Sequence, residues 1–281
     1  MQILSFQSAV AYGHVGNSAA VFPLQRLGFD VWPVDTVQFS NHPGHGRWSG
    51  GVMGADHLND VVGGLEDLGL LKSCDGILSG YLGRPKTGDA VLRAASEIRM
   101  ANPKALFLCD PVMGDDGPGL YVKPGIPEIL AERLVPAADV VTPNRFELAH
   151  LTGLPVGNLP EAVTAARHLM ESGPAMVVVT SLPTGENMVA CAAVTKDGAW
   201  AVRTPTIAFP TPPNGAGDVL SALLLGHLLR GEDLPEALSM AVSSLYGILA
   251  KTREQGRREL ALIAAQDEIA LPSRFFAPLS I

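Results

Sequence analysis

The chain has 281 residues, of which 47% are hydrophobic and 17% are charged. This composition excludes an intrinsically disordered chain. Its formal net charge of −8 argues against a general nucleic-acid or membrane-surface binder, which would need a basic excess. Three cysteines without a C-x-x-C pair exclude a disulfide framework and a thiolate zinc site. No signal peptide or bilayer-length apolar run is seen, so we expect a cytoplasmic protein.

Short apolar runs alternate with longer helical patterns almost from end to end, which predicts a mostly parallel sheet covered on both faces. The predicted strands are Gln2–Phe6, Val31–Phe39, Gly76–Ser79, Ala105–Cys109, Asp139–Val141, Met176–Thr180, Met188–Val194 and Ala199–Arg203. The predicted helices are Ser18–Leu27, His57–Leu70, Thr87–Met100, Pro127–Leu134, Arg145–Leu151, Glu161–Ser172, Ala216–Leu229, Leu234–Lys251 and Arg257–Ala270. No internal repeat or linker divides the chain, and we expect one domain over residues 1–281.

The first chemical motif follows the fourth predicted strand, in the sequence CDPVMGDDG at residues 109–117. The strand ends at Asp110, and an acidic loop that contains glycine comes next. Ligands of such sheets bind where the strands end. Asp110 is therefore either a plain strand terminator or part of a site for a cation and phosphate.

The second motif, TPNRFE at residues 142–147, directly follows the next strand. Asn144 can cap the following helix, with Glu147 as its capping-box partner, and this explanation needs no function. The same amide and carboxylate oxygens can hold a hydrated Mg²⁺ ion and nucleotide phosphates. The motif alone favours the cap.

The third motif is Asn214-Gly215-Ala216-Gly217-Asp218, which precedes a long apolar helix. Free amides at a helix start bind anions. An aspartate there would repel a phosphate, unless it accepts the proton of an alcohol that attacks a phosphoryl group. An ordinary helix start with an acidic first turn is the alternative. A P-loop, a dinucleotide fingerprint, H-E-x-x-H and G-x-S-x-G are all absent.

Seven blocks taken together resemble the pyridoxal kinases of the ribokinase-like superfamily, over essentially the whole chain. In order they are SFQSAVAYGHVGNSAA, TVQFSNHPGHGRWSG, LSGYLG, CDPVMGD, ADVVTPNRFELAHLTG, VVVTSLPTG and NGAGD. The first three blocks are typical of pyridoxal kinases, whereas the CDPVMGD, TPN-x-x-E and G-x-G-D patterns are shared more widely in the superfamily.

The resemblance implies a three-layer α/β/α sandwich with a mainly parallel central sheet, and a homodimer. It also implies ATP-dependent phosphorylation of the 5′-hydroxymethyl group of pyridoxal, and often of pyridoxine or pyridoxamine, with Mg²⁺ and a monovalent cation (K⁺ or Na⁺).

The resemblance further assigns roles to particular residues. Asp218 would be the catalytic base, and Gly215, Ala216 and Gly217 would form the anion hole. The substrate ring would lie among Ser8, Val15, Phe39, His42, Pro43 and Tyr81. The nucleotide and its Mg²⁺ ion would lie beside Asp110, Asn144, Glu147, Thr180 and Ser181. Asp115, Thr142 and Thr180 match a monovalent-cation site.

Three positions depart from the family pattern. Pro43 stands where the family has a threonine, which removes a hydroxyl and a backbone donor beside the substrate ring. Ala216 stands where threonine is frequent, and Thr180-Ser181 stands where some bacterial relatives carry a lysine. These changes bear on substrate preference and turnover more than on the fold.

Two alternative functions stay open at this point. A hydroxymethylpyrimidine kinase would share the scaffold and the G-x-G-D pattern. A non-catalytic carrier of pyridoxal 5′-phosphate would be compatible with Pro43, but it would have no use for a base at Asp218.

Overall fold

The predicted strands are present in the computed structural model, which describes residues 1–281, and most extend a few residues further. The main sheet contains β1 (Gln2–Tyr12), β2 (Asp30–Asn41), β3 (Gly50–Val52), β4 (Cys74–Ser79) and β5 (Leu106–Cys109). After a small hairpin of β6 (Gly114–Asp115) and β7 (Gly119–Leu120), it continues with β8 (Val140–Val141), β9 (Met176–Pro183), β10 (Met188–Val194), β11 (Ala199–Pro205) and β12 (Leu279–Ser280).

The helices alternate with the strands along most of the chain. They are α1 (Asn17–Arg26), α2 (Ala55–Asp67), α3 (Pro85–Ala101), α4 (Ile126–Ile129), α5 (Val135–Ala137), α6 (Arg145–Thr152), α7 (Leu159–Met170), α8 (Ala216–Leu229), α9 (Leu234–Glu254) and α10 (Gln266–Ala270). None of the helices has the length and apolar character that crossing a membrane requires.

The main sheet has ten strands in the order β12-β11-β10-β9-β8-β5-β4-β1-β2-β3. The six strands from β9 to β2 run parallel, and antiparallel strands extend the sheet at both edges. The mainly parallel sheet is therefore confirmed, and the carboxyl ends of six strands lie at one edge.

Successive residues of the strands point to opposite faces, which creates two separate cores. In β5, Phe107 faces the core formed with α2, α3 and α7, whereas Leu108 faces the core formed with α1, α8 and α9. Helix α8 is buried on all sides from Val219 to His227, because it lies between the sheet and its neighbouring helices. The sandwich of a sheet between two helical layers agrees with the expected fold.

Two predicted helices are wrong in part. The segment predicted as a helix over Arg257–Ala270 is helical only in α10, because Gly256 ends α9 with a φ of 61° and the following residues fold back as turns. The helix predicted over Pro127–Leu134 is instead a short α-helix followed by a π-helical turn over Leu130–Leu134. The sequence does not predict strands β3 (GGV), β6 (GD), β7 (GL) and β12 (LS), because none of these two- or three-residue segments lies in an apolar run as β8 (VV) does.

Candidate active site

The carboxyl ends of the parallel strands bring the predicted site residues to one edge of the sheet. Asp110 directly follows β5, Thr142 follows β8, His42 follows β2, and Tyr81 lies two residues after β4. Thr180 is itself in β9. This is the edge at which ligands of open α/β sheets bind.

Helix α8 begins at this edge with a sharp turn that only glycine accommodates. Gly215 is the N-cap, with a φ of 89°. A Cβ atom at Gly215 would lie 1.9 Å from the carbonyl oxygen of His14, so the site also has no space for a side chain. No side chain caps the helix. The first-turn amides of Ala216, Gly217 and Asp218 are therefore free to bind an anion.

The carboxylate of Asp218 does not cap its own helix. Its Oδ2 atom accepts a hydrogen bond from the amide of Gly16 at 2.8 Å. The protein surroundings desolvate this carboxylate and raise its pKa, and the bond from Gly16 lowers it. An ordinary helix start does not explain this contact, because the Asp218 side chain does no capping.

The loop before α1 connects Asp218 to the predicted acceptor pocket. Gly16 has a φ of 54°, and a Cβ atom there would lie 2.1 Å from the carbonyl oxygen of Ser8. Ser8 and Asp218 thus lie on two sides of the same glycine. Val15 is buried beside it. Tyr81 is tied to the same end of the sheet, since its carbonyl accepts a hydrogen bond from Oγ1 of Thr36 at 2.5 Å.

Pro43 has a clear structural explanation in the turn that follows β2. It is the first residue of a 3₁₀ helix over Pro43–His45, a position where the missing N–H costs nothing. The amide of Gly44 donates to Nδ1 of His42 at 3.1 Å, which closes the start of the turn. Burial lowers the pKa of His42 and favours the neutral imidazole that accepts this bond. Phe39, earlier in β2, packs against Trp48 with ring centroids 6.4 Å apart.

Asp110 is a buried carboxylate close to the glycine turn. Its Oδ2 atom accepts a hydrogen bond from Oγ of Ser221 at 3.1 Å, and that hydroxyl lies 2.8 Å from Oγ1 of Thr142. A Cβ atom on Gly217 would lie 3.9 Å from the same oxygen of Asp110. Burial raises the pKa of Asp110 well above its usual range, and the charges of Glu147 and Asp218 raise it further.

Glu147 caps α6 and, together with Asp110 and Asp218, forms the acidic group of the site. Asn144 and Glu147 form a capping box, in which Oδ1 of Asn144 accepts from the Glu147 amide and Oε2 of Glu147 accepts from the Asn144 amide. The other oxygen of Glu147 accepts from the amide of Met113 at 2.9 Å, and Nδ2 of Asn144 donates to the carbonyl of Gly114 at 2.9 Å. Burial raises the pKa of Glu147 to about 7, despite these backbone bonds.

The remaining predicted nucleotide and cation residues lie at different depths. The amide of Thr180 donates to the carbonyl of Pro143 at 3.0 Å, which places Thr180 against the TPN segment. Ser181 is exposed, with a φ of 61°, and Asp115 is exposed in the β6–β7 hairpin. Thr142 is buried with its hydroxyl against Ser221, so it does not lie open to the surface as Asp115 does.

Two side chains of this region were missed by sequence reasoning. Ser221 lies three residues after Asp218, so the helical spacing places both side chains on one face of α8 and indicates Ser221 as a site residue; its bond to Asp110, 111 residues away, has no such signal. Tyr121 directly follows β7 and is half-exposed, and partial burial, followed by the charges of Glu147 and Asp110, raises its pKa. No local pattern in the sequence signals this position for Tyr121.

The donor set fits a hydrated Mg²⁺ ion. Buried Asp110 and Glu147 offer hard oxygen ligands, and no lysine, arginine or histidine forms an ion pair with either of them or with Asp218. No three His, Cys, Asp or Glu side chains converge closely enough to hold a metal ion by themselves. A cation here would therefore complete its coordination with water and with phosphate oxygens, as Mg²⁺ usually does.

A mainly parallel sheet between two helical layers, with an anion-binding helix start and buried carboxylates at its carboxyl edge, defines a ribokinase-like phosphotransferase. Residues 73–262 match the family model described as phosphomethylpyrimidine kinase. The chain is 52% identical to the pyridoxal kinase PdxY of Rubrobacter xylanophilus, over 97% of this chain and 94% of that protein. It is 48% identical to the pyridoxal kinase PdxY of Deinococcus radiodurans, over 98% of this chain and 95% of that protein.

A solved structure agrees with these relatives. The pyridoxal kinase of Leishmania donovani, in complex with ADP and pyridoxamine, superposes with a TM-score of 0.93 at 32% identity, covering 100% of this chain and 99% of that one. The chain belongs to the pyridoxal kinase family.

The raised pKa of Glu147 predicts a specific pH dependence of stability. An unfolded glutamate titrates near pH 4.3, so between about pH 4.5 and pH 7 the folded protein holds a proton at Glu147 that the unfolded chain has released. Stability from this group is therefore lost as the pH rises through that range. Relative to wild type, Glu147→Gln should gain roughly 3 kcal/mol of unfolding free energy between pH 4.5 and pH 8.

Urea unfolding of both proteins across this pH range measures the effect. Glu147→Gln should also carry a constant loss, because an amide has only one oxygen for the two backbone donors of Met113 and Asn144. Glu161→Gln is the matched control, since Glu161 holds the same position after an asparagine N-cap in α7 and its carboxylate accepts from the amide of Gly157, but it is less buried. A Glu147→Gln difference that stays flat with pH, or follows the control, would contradict the assignment.

Proposed function

We propose that this protein transfers the γ-phosphoryl group of ATP to the 5′-hydroxymethyl group of pyridoxal, and of pyridoxine or pyridoxamine. Relatives at 45–52% identity are named pyridoxal kinases, and structural neighbours hold ADP with pyridoxamine or pyridoxine. The observation that carries the proposal is the start of α8, where free amides adjoin a desolvated carboxylate that no cation neutralises.

Asp218 is the proposed base. The hydroxyl proton of the acceptor moves to the Asp218 carboxylate, the acceptor oxygen forms a bond to the γ-phosphorus, and the bond from that phosphorus to ADP breaks. The amides of Ala216 and Gly217, and the turn at Gly215, stabilise the negative charge on the transferring group. A raised pKa at Asp218 supports this role, because a base is most effective when its pKa approaches the working pH.

The nucleotide side of the proposed site contains Asp110, Asn144, Glu147, Thr180 and Ser181. Asp110 and Glu147, with Thr142 and Thr180 nearby, would hold a hydrated Mg²⁺ ion, whose charge would offset that of the phosphates. We retain Asp115, Thr142 and Thr180 as the proposed monovalent-cation residues. The oxygen of Thr142 already accepts or donates a bond with Ser221, so this site would need local rearrangement.

The acceptor side of the proposed site is formed by β1, the loop before α1 and the turn after β2. Ser8 would hydrogen-bond the pyridine ring, and Val15, Phe39, His42, Pro43 and Tyr81 would line or cover it. Ser8 and Asp218 both contact Gly16. This shared contact supports an acceptor pocket that extends from Ser8 to the proposed base. We also propose that the chain acts as one domain, as a homodimer and in the cytoplasm.

A panel of alcohols tests the proposed function directly. ATP consumption should be measured with pyridoxal, pyridoxine, pyridoxamine and hydroxymethylpyrimidine under the same conditions. We expect kcat/KM to be highest for one of the three vitamers. A hydroxymethylpyrimidine kinase is the second candidate, because the matching family model is described as phosphomethylpyrimidine kinase. A clear preference for hydroxymethylpyrimidine would overturn our proposal. Tight pyridoxal phosphate binding without turnover would instead identify a carrier.

Asp218→Asn should lower kcat by about two to four orders of magnitude, the range expected for loss of a positioned base. The amide oxygen can still accept the bond from Gly16, so folding and ligand binding should be retained. Steady-state kinetics with pyridoxal and a binding titration measure the two effects. Asp197→Asn, in an exposed turn, is the control. A kcat close to that of wild type would remove Asp218 from the mechanism.

Pro43→Thr should raise kcat/KM for pyridoxal by about 2- to 12-fold if the new hydroxyl reaches the ring, the value of one neutral hydrogen bond. Loss of the proline opposes this gain, because a more flexible turn costs more to order. Pro160→Thr, at the exposed start of α7, is the matched control for a proline in a first turn. A fall in kcat/KM for Pro43→Thr alone would show that the proline is required in the site.

A further inference from the structure

The segment that follows α9 contacts the proposed acceptor side from a distance in sequence of more than 200 residues. Glu259 is 4% exposed and lies between two loops. Its Oε1 atom is 2.7 Å from Nε2 of His45, in the turn after β2. Its Oε2 atom accepts a hydrogen bond from the amide of His14 at 3.3 Å. One buried carboxylate therefore joins the turn to the loop before α1.

Gly13 makes this close approach sterically feasible. It has a φ of 99°, and a Cβ atom there would lie 2.2 Å from Oε2 of Glu259. The backbone of the loop before α1 is therefore packed directly against the carboxylate. Three residues further along, Gly16 of the same loop donates to Asp218. The contact of Glu259 is thus one short loop away from the proposed base.

Arg258 holds the same turn from outside. Its Nη2 atom donates to the carbonyl of Gly44 at 2.5 Å, and its side chain forms no ion pair with a carboxylate. A Cβ atom on Gly44 would lie 3.5 Å from Nδ2 of Asn214, so the turn also faces the loop that leads into α8. Leu260 contacts the start of α8, since a Cβ atom on Gly215 would lie 3.4 Å from Cδ1 of Leu260.

The segment is itself firmly anchored. The amide of Ala261 donates to Oγ1 of Thr252 at 3.0 Å, and that of Arg257 donates to the carbonyl of Thr252 at 3.1 Å. Leu260 and Leu262 are buried in the core that includes α8 and α9. A fixed segment that bonds an exposed turn can position the turn, whereas two exposed segments could not.

We propose that Arg258 and Glu259 form a latch that positions the His42–His45 turn over the acceptor, and that both are positioning residues for the alcohol substrate. The inference rests on the proposed function. The latch bonds His45, Gly44 and the loop at His14, and none of its contacts involves the residues of the nucleotide side. It should therefore affect the handling of the vitamer and leave that of ATP almost unchanged.

Steady-state kinetics of Glu259→Gln test this separation. The amide weakens the bond to His45 and keeps the size of the side chain, so KM for pyridoxal should rise about 10-fold, the value of one charge-assisted hydrogen bond. KM for ATP should stay within about 2-fold of wild type. Glu254→Gln, an exposed glutamate paired only with Lys251, is the matched control and should leave both constants unchanged. An unchanged KM for pyridoxal, or an equal rise in KM for ATP, would overturn the latch.

Coupling to His45 separates a specific bond from a general loss of folding. His45→Gln should raise KM for pyridoxal by a similar factor, and the double variant with Glu259→Gln should be no worse than the poorer single variant. If the two increases in KM multiply in the double variant, the two side chains act independently and the latch is contradicted. If Glu259→Gln does not fold, His45→Gln and Arg258→Met carry the same test from the opposite sides of the contact.

Hydrogen–deuterium exchange tests the latch without reference to catalysis. Amides of residues 42–48 should exchange faster in Glu259→Gln than in wild type or in Glu254→Gln, while those of α6 should not change. Equal exchange of residues 42–48 in all three proteins would reject the latch. If wild type phosphorylates none of the vitamers, the proposed function fails, but the exchange result still decides whether the latch exists.

Discussion

Asp110, Glu147 and Asp218 are brought to one edge of the sheet, and no basic side chain pairs with any of them. Burial raises the pKa of each, and for Asp110 the neighbouring charges add to this effect. The arrangement opposes folding at Asp110 and Glu147 above all, because both side chains are almost fully buried and neither is paired with a basic side chain. It is favourable only when protons or a cation neutralise it, so the site is built around a charge that the ligand supplies.

The fold enforces this arrangement through backbone contacts on both sides. Asp110 and Thr142 directly follow strands β5 and β8. The main-chain amides of Met113 and Asn144 both donate to the Glu147 carboxylate, and the amide of Glu147 donates to Oδ1 of Asn144. On the other side, Gly16 holds Asp218 while the latch residue Glu259 holds the loop that contains Gly16. Only the capping box of Asn144 and Glu147 is local in sequence. The bonds of Asp110 to Ser221 and of Asp218 to Gly16 join segments that lie more than 100 residues apart.

This difference explains how far the sequence could predict the molecule. Periodicity predicts β10 and α8 with the bounds that they have in the structure, because both are long, strongly apolar and well delimited. The same periodicity predicts a helix over Arg257–Ala270, of which only α10 forms. Leu260 and Leu262 are instead buried by turns that fold back on α9. The bond between Gly16 and Asp218 spans 202 residues, and no local pattern indicates such a pairing. Family resemblance supplied the roles on the acceptor side, and spacing alone did not.

The central expectation is that Asp110 and Glu147 hold protons until a cation replaces them. Isothermal titration calorimetry of Mg²⁺ and ADP binding at pH 7, in buffers of different ionisation enthalpy, measures the protons exchanged. We expect a net release of protons on binding, because the bound cation lowers the pKa of Glu147 from about 7 and lowers the raised pKa of Asp110. The release should be smaller in Glu147→Gln. Binding with no proton exchange, or with proton uptake, would contradict the claim.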